Sequence, residues 1–204
     1  MKTESETKQK LLEAAMTLIW ESSYGSVSVD DICAKAGVNK GSFYYAFKSK
    51  SDLAVAAYER HWQTIKPAFD RVFSAQVPTL ERLNQYCELM LEGQKAKYLT
   101  FGKVLGCPFC SIGNELGTQD ENIRLKAEQS GTRTLKYIES LVRDLAAEGL
   151  IETRDATELA REVSAYVAGV LVQAKIENSL KPVERLKHGI SRLLNLKAVE
   201  TAAA

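Results

Sequence analysis

The stretch Ser28–Asp52, SVDDICAKAGVNKGSFYYAFKSKSD, decides how this chain is read. It divides into two short helices joined by a tight turn. Ser28 offers a side-chain oxygen for an N-cap, and Asp30 and Asp31 follow in the turn where the helix dipole favours acid. Ile32, Ala34 and Ala36 give the first helix a compact apolar side. Gly37 then interrupts it where a positive φ costs least. Val38 can plug the corner and Asn39 can cap the second helix, which is expected over residues 40–47. In that helix Phe43 and Phe47, four apart, turn toward a core. Lys40, Ser42, Tyr44, Tyr45 and Lys48 put donors and flat rings elsewhere. Such an outer face suits a partner that carries phosphates, and the whole describes a helix-turn-helix. Helical hairpins with glycine turns are common, and a Tyr-Tyr pair alone is more often half-buried packing. The constellation, not any one residue, points to DNA.

The segment Ile32–Lys50, ICAKAGVNKGSFYYAFKSK, followed by Leu53, closely resembles the DNA-binding signature of TetR/AcrR-type repressors. The Lys40-Gly41-Ser42-Phe43-Tyr44 run, Phe47 and the Lys48-Ser49-Lys50 ending fall in register without a gap. Ala46 departs from the pattern, since many members carry histidine there, and operator preference stays open. The resemblance implies double-stranded operator DNA as partner. The residues expected at that interface are Ser28, Lys40, Gly41, Ser42, Tyr44, Tyr45, Lys48 and Lys50.

A chain of 204 residues with 45% hydrophobic and 26% charged residues is ordinary for a globular protein with a sizeable core. The formal net charge of +1 announces no global basic field, so DNA binding must rest on a local patch such as Lys40, Lys48 and Lys50. No apolar run is long enough to span a bilayer and the start, MKTESETKQK, has no signal-peptide core, so a cytoplasmic protein without membrane partners is expected. Four cysteines, Cys33, Cys87, Cys107 and Cys110, are then expected as thiols. Neither His61 nor His188 stands at metal-ligand spacing from a cysteine pair, so no metal and no cofactor is expected.

Along the chain every patterned segment is helical. Residues 7–24 carry Leu11, Leu12, Ala15, Leu18 and Ile19 on one stripe, a back wall for the helix-turn-helix. Ser49 caps a long helix over 50–72, interrupted by Pro67, whose start with Lys50 can anchor a phosphate. Further helices are expected over 79–97, after Pro108, over 119–148, over 155–179 and from Pro182 to about 196. Residues 97–106 read as a loop or a short irregular turn, and the tail VETAAA as frayed. The fold class is all-α. Residues 1–48 form a three-helix DNA-binding domain and 49–204 a helical ligand-sensing and dimerisation domain.

The helix over 155–179 is apolar round much of its circumference, which suits either a central helix or one shared with another chain. Family resemblance favours a homodimer through the last two long helices. The expected interface residues are Ala165, Ala168, Gly169, Val172, Ile176, Leu186, Ile190 and Leu193. Two-fold symmetry would set two recognition helices in successive major grooves.

A second signal is GCPFCSIGNEL, residues 106–116. Pro108 is favoured at the first position of a helix, which puts Cys107 at the N-cap, where free N–H groups favour a thiolate. Cys110, three residues on, can act as a resolving thiol. Three readings stand: two small buried apolar residues, a redox or electrophile sensor, or a glutaredoxin-like Cys-Pro-Phe-Cys centre. The last needs a strand and a βαβ sheet that the pattern lacks. More weakly, through the Gly106-Cys107 pair and the later LVQAKIENSLKPVERL, residues 171–186, the C-terminal half resembles the electrophile-sensing subgroup of TetR-type repressors, whose reactive cysteine falls on Cys107. The resemblance also implies a small-molecule inducer pocket, for which Trp62, Phe69, Tyr86, Phe101, Phe109, Tyr137 and Tyr166 are the candidate lining. The rival from another class is a thiol redox enzyme using Cys107 and Cys110. It lacks a histidine or carboxylate constellation, and no enzyme is expected. A protein–protein adaptor would show no affinity for DNA.

Overall fold

Helix caps punctuate the chain where the sequence places them. The computed structural model of the protein describes residues 5–197, and the tail expected to fray lies outside them. Ser5 caps α1 (Glu6–Glu21) by accepting from the Lys8 N–H. Ser28 opens α2 (Val29–Ala36) with a reciprocal capping box: its Oγ accepts from Asp31 N–H at 3.1 Å, and Asp31 Oδ2 accepts from Ser28 N–H at 2.8 Å. Gly37 stops α2 at φ 65°. Asn39 Oδ1 accepts from the Ser42 N–H at 2.8 Å and starts α3 (Lys40–Ala46). Each side-chain N-cap of this kind contributes about 1 kcal/mol.

Ser49 caps α4 (Lys50–Val72), its Oγ accepting from Asp52 N–H, and the helix continues through Pro67. Next come α5 (Thr79–Phe101), α6 (Pro108–Leu116), α7 (Glu121–Ala147) and α8 (Ala156–Glu177), and then the short α9 (Lys181–Glu184) and α10 (Leu186–Leu193). Asp155 caps α8 through the Thr157 and Glu158 N–H groups. No strand occurs among the described residues.

Three expected boundaries shift. α1 ends at Glu21, before Gly25, because Ser22 already leaves helical geometry. α5 runs to Phe101 through residues expected to form a loop, and Gly102 ends it at φ 67°. Weak apolar patterning there reflects exposure, with Leu99 86% exposed, and not loss of helix. The last helix is divided, since Arg185 at φ −91° and ψ 0° separates α9 from α10.

The chain gathers into two compact units that do not follow the division at 48/49. One comprises the chain up to Lys66 together with Cys107–Gly131, and the other Pro67–Gly106 together with the chain from Thr132 onward. In the first, α1 packs on α2 and α3. Its core joins Leu11, Ile19, Ile32, Phe43 and Leu53 to Ile112, Leu116 and Ile123 of α6 and α7. In the second, α8 contacts α9 and α10, and α5 contacts both of these as well. Its one buried guanidinium among the described residues, Arg82, donates to Val77 O at 2.7 Å and pairs with Asp144. Such a group is tolerated only with its charge and donors met.

Within the second unit the expected interface residues separate. Leu186 and Ile190 are fully buried inside the protomer, so these two belong to its own core and not to a surface. Ala165 and Gly169 are exposed, Val172 is 38% and Ile176 79% exposed, and Leu193 is 37% exposed. Spacings of four, three and four put the α8 members on one face. Ala168 is half-buried. Tyr166 packs over Gly189, where a Cβ would stand 1.8 Å from the Tyr166 hydroxyl.

Candidate functional site

In α3 one face is core and the other is open. Phe43 is fully buried and Phe47 nearly so, whereas Tyr44 is 58% and Tyr45 95% exposed. The Phe43 ring meets Tyr44 edge-on, which orients that exposed ring. Lys48 is exposed, and Ser42 spends its N–H on the Asn39 cap. Gly41 leaves room beside the same cap, since a Cβ there would lie 3.2 Å from Asn39 Oδ1. The Lys40 ammonium pairs with Asp30 at 2.8 Å with both side chains mostly exposed, and that hydrogen bond raises its pKa. An exposed pair is weak enough for a phosphate oxygen to replace the carboxylate. The helix offers one cation, hydroxyls and rings, with no acid among residues 40–46.

Two residues expected to hold the DNA backbone are occupied within the protein. The Ser28 hydroxyl serves the capping box. Lys50 was expected to reach phosphate. Its Nζ instead donates to Tyr24 O and Val27 O, both at 2.9 Å, and lies 3.9 Å above the Tyr24 ring. Burial lowers its pKa. The ammonium thus ties down the loop between α1 and α2. On the other side of that loop, Glu115 of α6 accepts from Tyr24 N–H at 2.9 Å and from Gly25 N–H at 2.6 Å.

Cys107 takes the N-cap position of α6 with φ −87°, and Pro108 follows at the first helical position, as the spacing predicts. The thiol is half-buried. The Cys110 thiol donates to it and so lowers its pKa to about 7. Burial works against this, while the Cys110 and Phe109 N–H groups add to the lowering. The same hydrogen bond and its burial push Cys110 well upward. The other two thiols differ in kind. Burial lifts Cys87 to about 12, and Cys33, in the core of the first unit, is raised as well. Just before Cys107 the chain is fixed by Gln94, whose amide accepts from Gly106 N–H at 2.9 Å and donates to Gly106 O at 3.2 Å. Sequence reasoning missed Gln94, a buried amide inside a helix, and it missed Glu115.

The aromatic residues expected to line a pocket fall in both units. Phe69, Tyr86 and Tyr137 pack with Phe73 in the second unit, ring centroids 5.3–6.3 Å apart. Phe109 instead lies edge-on to Tyr58 in the first unit, and Trp62 is buried there. Tyr166 covers Gly189, and Phe101 ends α5 half-buried. A cavity of only about 10 Å³ lies between Ala54, Tyr58, Ile112, Ile123 and Ala127, room for about one water. Among the described residues no group of three histidines, cysteines or carboxylates could hold a metal. No described helix is long and apolar enough to cross a membrane.

Together the fold and the open face of α3 define a helix-turn-helix transcriptional regulator. The family model for bacterial regulatory proteins of the tetR family matches residues 11–57, and that for the tetracyclin repressor-like C-terminal domain matches residues 79–190. The chain belongs to the TetR family, whose members are repressor-type DNA-binding regulators and not enzymes. It is 27% identical over 181 residues to an uncharacterised HTH-type transcriptional regulator in the lacX 3′ region of Lactococcus lactis, covering 87% of this chain and 88% of that protein. It is 24% identical over 200 residues to the HTH-type transcriptional repressor NemR of Escherichia coli K12, covering 97% and 98%. The crystal structure of the regulatory protein TetR from Rhodobacter sphaeroides superposes with a TM-score of 0.82 at 26% identity, over 93% of this chain and 99% of that one.

Proposed function

We propose that this protein is a homodimeric repressor that leaves its operator when an electrophile or oxidant modifies Cys107. The observation that carries the sensor is the environment of that thiol. A half-buried sulfur at the N-cap of α6, next to the Cys110 thiol, has its pKa lowered to about 7, within reach of the thiolate at neutral pH. Its attack on the double bond of a maleimide forms a C–S bond, and the adjacent carbon takes a proton from solvent. The adduct replaces a small half-buried group with a bulky one at the start of α6.

On the DNA side, Tyr44, Tyr45, Lys40 and Lys48 of the exposed α3 face reach bases or phosphates in the major groove. Ala165, Gly169, Val172 and Ile176 of α8, with Leu193 of α10, meet their copies about a two-fold axis. The low net charge accords with a dimer, which doubles the phosphate contacts of one small basic patch. The protein acts in the cytoplasm, where such a thiol is kept reduced until challenged. The sensor can change affinity only through a free-energy difference between two arrangements of the dimer.

Fluorescence anisotropy on the protein's own upstream DNA, before and after N-ethylmaleimide, tests the reading with Cys107→Ser alongside. Release of the wild type and retention of Cys107→Ser is the expected result. Tight binding indifferent to the reagent would remove the thiol switch and return the inducer to a non-covalent small molecule.

A further inference from the structure

Helix α6 has chemistry at both ends. Cys107 occupies its N-cap, and Glu115 sits in its last turn, about 12 Å along the axis at 1.5 Å per residue. The Glu115 carboxylate does not face solvent freely. One oxygen accepts from the Tyr24 N–H and the other from the Gly25 N–H, at 2.9 and 2.6 Å. Bonds to a charged acceptor are about twice as strong as neutral ones, and two on consecutive residues fix direction as well as distance. Gly25 is suited to this approach, since a Cβ there would stand 3.1 Å from Glu115 Oε1. The carbonyls of the same loop, at Tyr24 and Val27, are held by Lys50. A carboxylate from α6 and an ammonium from α4 thus grip the donors and acceptors of one short loop. The next residue after Val27 is Ser28, whose capping box begins the helix-turn-helix.

We propose that Glu115 is the latch connecting the sensor to the DNA-reading helices: its grip on Tyr24 and Gly25 sets the position of α2 and α3, and modification of Cys107 releases it. This rests on the reading of Cys107 as the sensor. The helix between them is a rigid element anchored by Ile112 and Leu116 in the core that also holds Ile32 and Phe43. A bulky group at its N-cap cannot be accommodated by bending nine residues of helix, so the displacement is passed to its far end. There the displacement acts on the two hydrogen bonds to Glu115, and the loop they hold is the entry to α2. Glu115 is a positioning residue and touches no DNA in this account.

The test measures operator affinity for wild type, Glu115→Gln, Glu115→Ala and Cys107→Ser, each with and without N-ethylmaleimide, together with hydrogen exchange at the Tyr24 and Gly25 amides. Unmodified Glu115→Gln is expected to bind about tenfold more weakly, with the slope of log K against log salt unchanged because no phosphate contact is lost. Modification of the wild type should speed exchange at Tyr24 and Gly25 at least tenfold, while Cys107→Ser keeps their protection. In Glu115→Ala the reagent should add little further loss of affinity. Circular dichroism on both variants separates a lost latch from a lost fold, and Glu115→Gln, which keeps the side-chain shape, decides if Glu115→Ala is unfolded. If modified wild type releases DNA while both amides stay protected, the latch is overturned and the sensor stands. If the wild type ignores the reagent, the sensor reading fails and the connection fails with it, even where Glu115→Gln still binds weakly. If Glu115→Gln binds and responds like the wild type, the latch alone is overturned.

Discussion

Removing one sulfur should change the chemistry of another three residues away. The Cys110 thiol is the largest influence that lowers Cys107 to about 7, ahead of the two N–H groups and against the opposing effect of burial. In Cys110→Ala the main lowering influence is gone while burial and the two N–H groups oppose each other, so Cys107 should return to about the ordinary thiol value of 8.5. At pH 6 that takes the thiolate fraction from about 9% to about 0.3%, a loss of roughly thirtyfold. A more basic thiolate is also a better nucleophile, with a Brønsted coefficient of about 0.4–0.5, which returns a factor of roughly four to six. The net expectation is alkylation about sixfold slower than wild type at pH 6. Well above pH 9, where both forms are ionised, the variant should be roughly four- to sixfold faster. The two pH–rate profiles therefore cross. Iodoacetamide labelling followed by peptide mass mapping isolates Cys107 from Cys33 and Cys87, which burial keeps protonated. The thiolate's contribution to stability is fully present above the ordinary thiol pKa and is lost as pH falls through about 7. Parallel profiles, or a wild-type midpoint near 8.5, would refute the reasoning.

Other perturbations probe separate parts of the molecule. Lys50→Ala should reduce operator affinity with the salt slope unchanged, because its ammonium holds Tyr24 O and Val27 O; a slope reduced by about one would restore the phosphate contact. Tyr45→Ala, at a side chain 95% exposed, should leave stability within about 0.5 kcal/mol and weaken operator binding by tenfold or more, read by urea unfolding and anisotropy. Gly106→Ala should cost about 1–2 kcal/mol, since φ is +66° and the new Cβ would lie 3.0 Å from Leu171 O. A thermal midpoint lowered by about 3–6 °C is the expected reading, and an unchanged midpoint would contradict the strained backbone.

The DNA-reading module was legible in the sequence because its determinants are local. Ser28, Gly37 and Asn39 act on groups within three or four residues, and the spacing of Phe43 and Phe47 reports their burial directly. Cys107 at the N-cap was legible for the same reason, through Pro108. What escaped was of three kinds. Glu115 bonds backbone 90 residues away, and Gln94 bonds Gly106, so neither leaves a periodic trace near itself. The mutual packing of the aromatic set was illegible for another reason. Helical spacing shows that Phe69 and Tyr137 face inward, and cannot show that they face each other. Leu186 and Ile190 were misplaced on an outer surface because an apolar stripe looks alike whether its own chain or a copy covers it.

The first unit closes its core with Ile112, Leu116 and Ile123, supplied only after the chain has departed for residues 67–106 and come back. A reading head of this kind is not a cassette. A fragment cut after Lys66 keeps the whole helix-turn-helix yet bares the apolar seam that α6 and α7 fill, and it should aggregate where the intact chain does not. Anyone splicing this head onto a foreign regulatory half needs two junctions, one on each side of the excursion. The second piece carries Cys107 and Glu115 with it, so the hybrid inherits the thiol along with the DNA specificity.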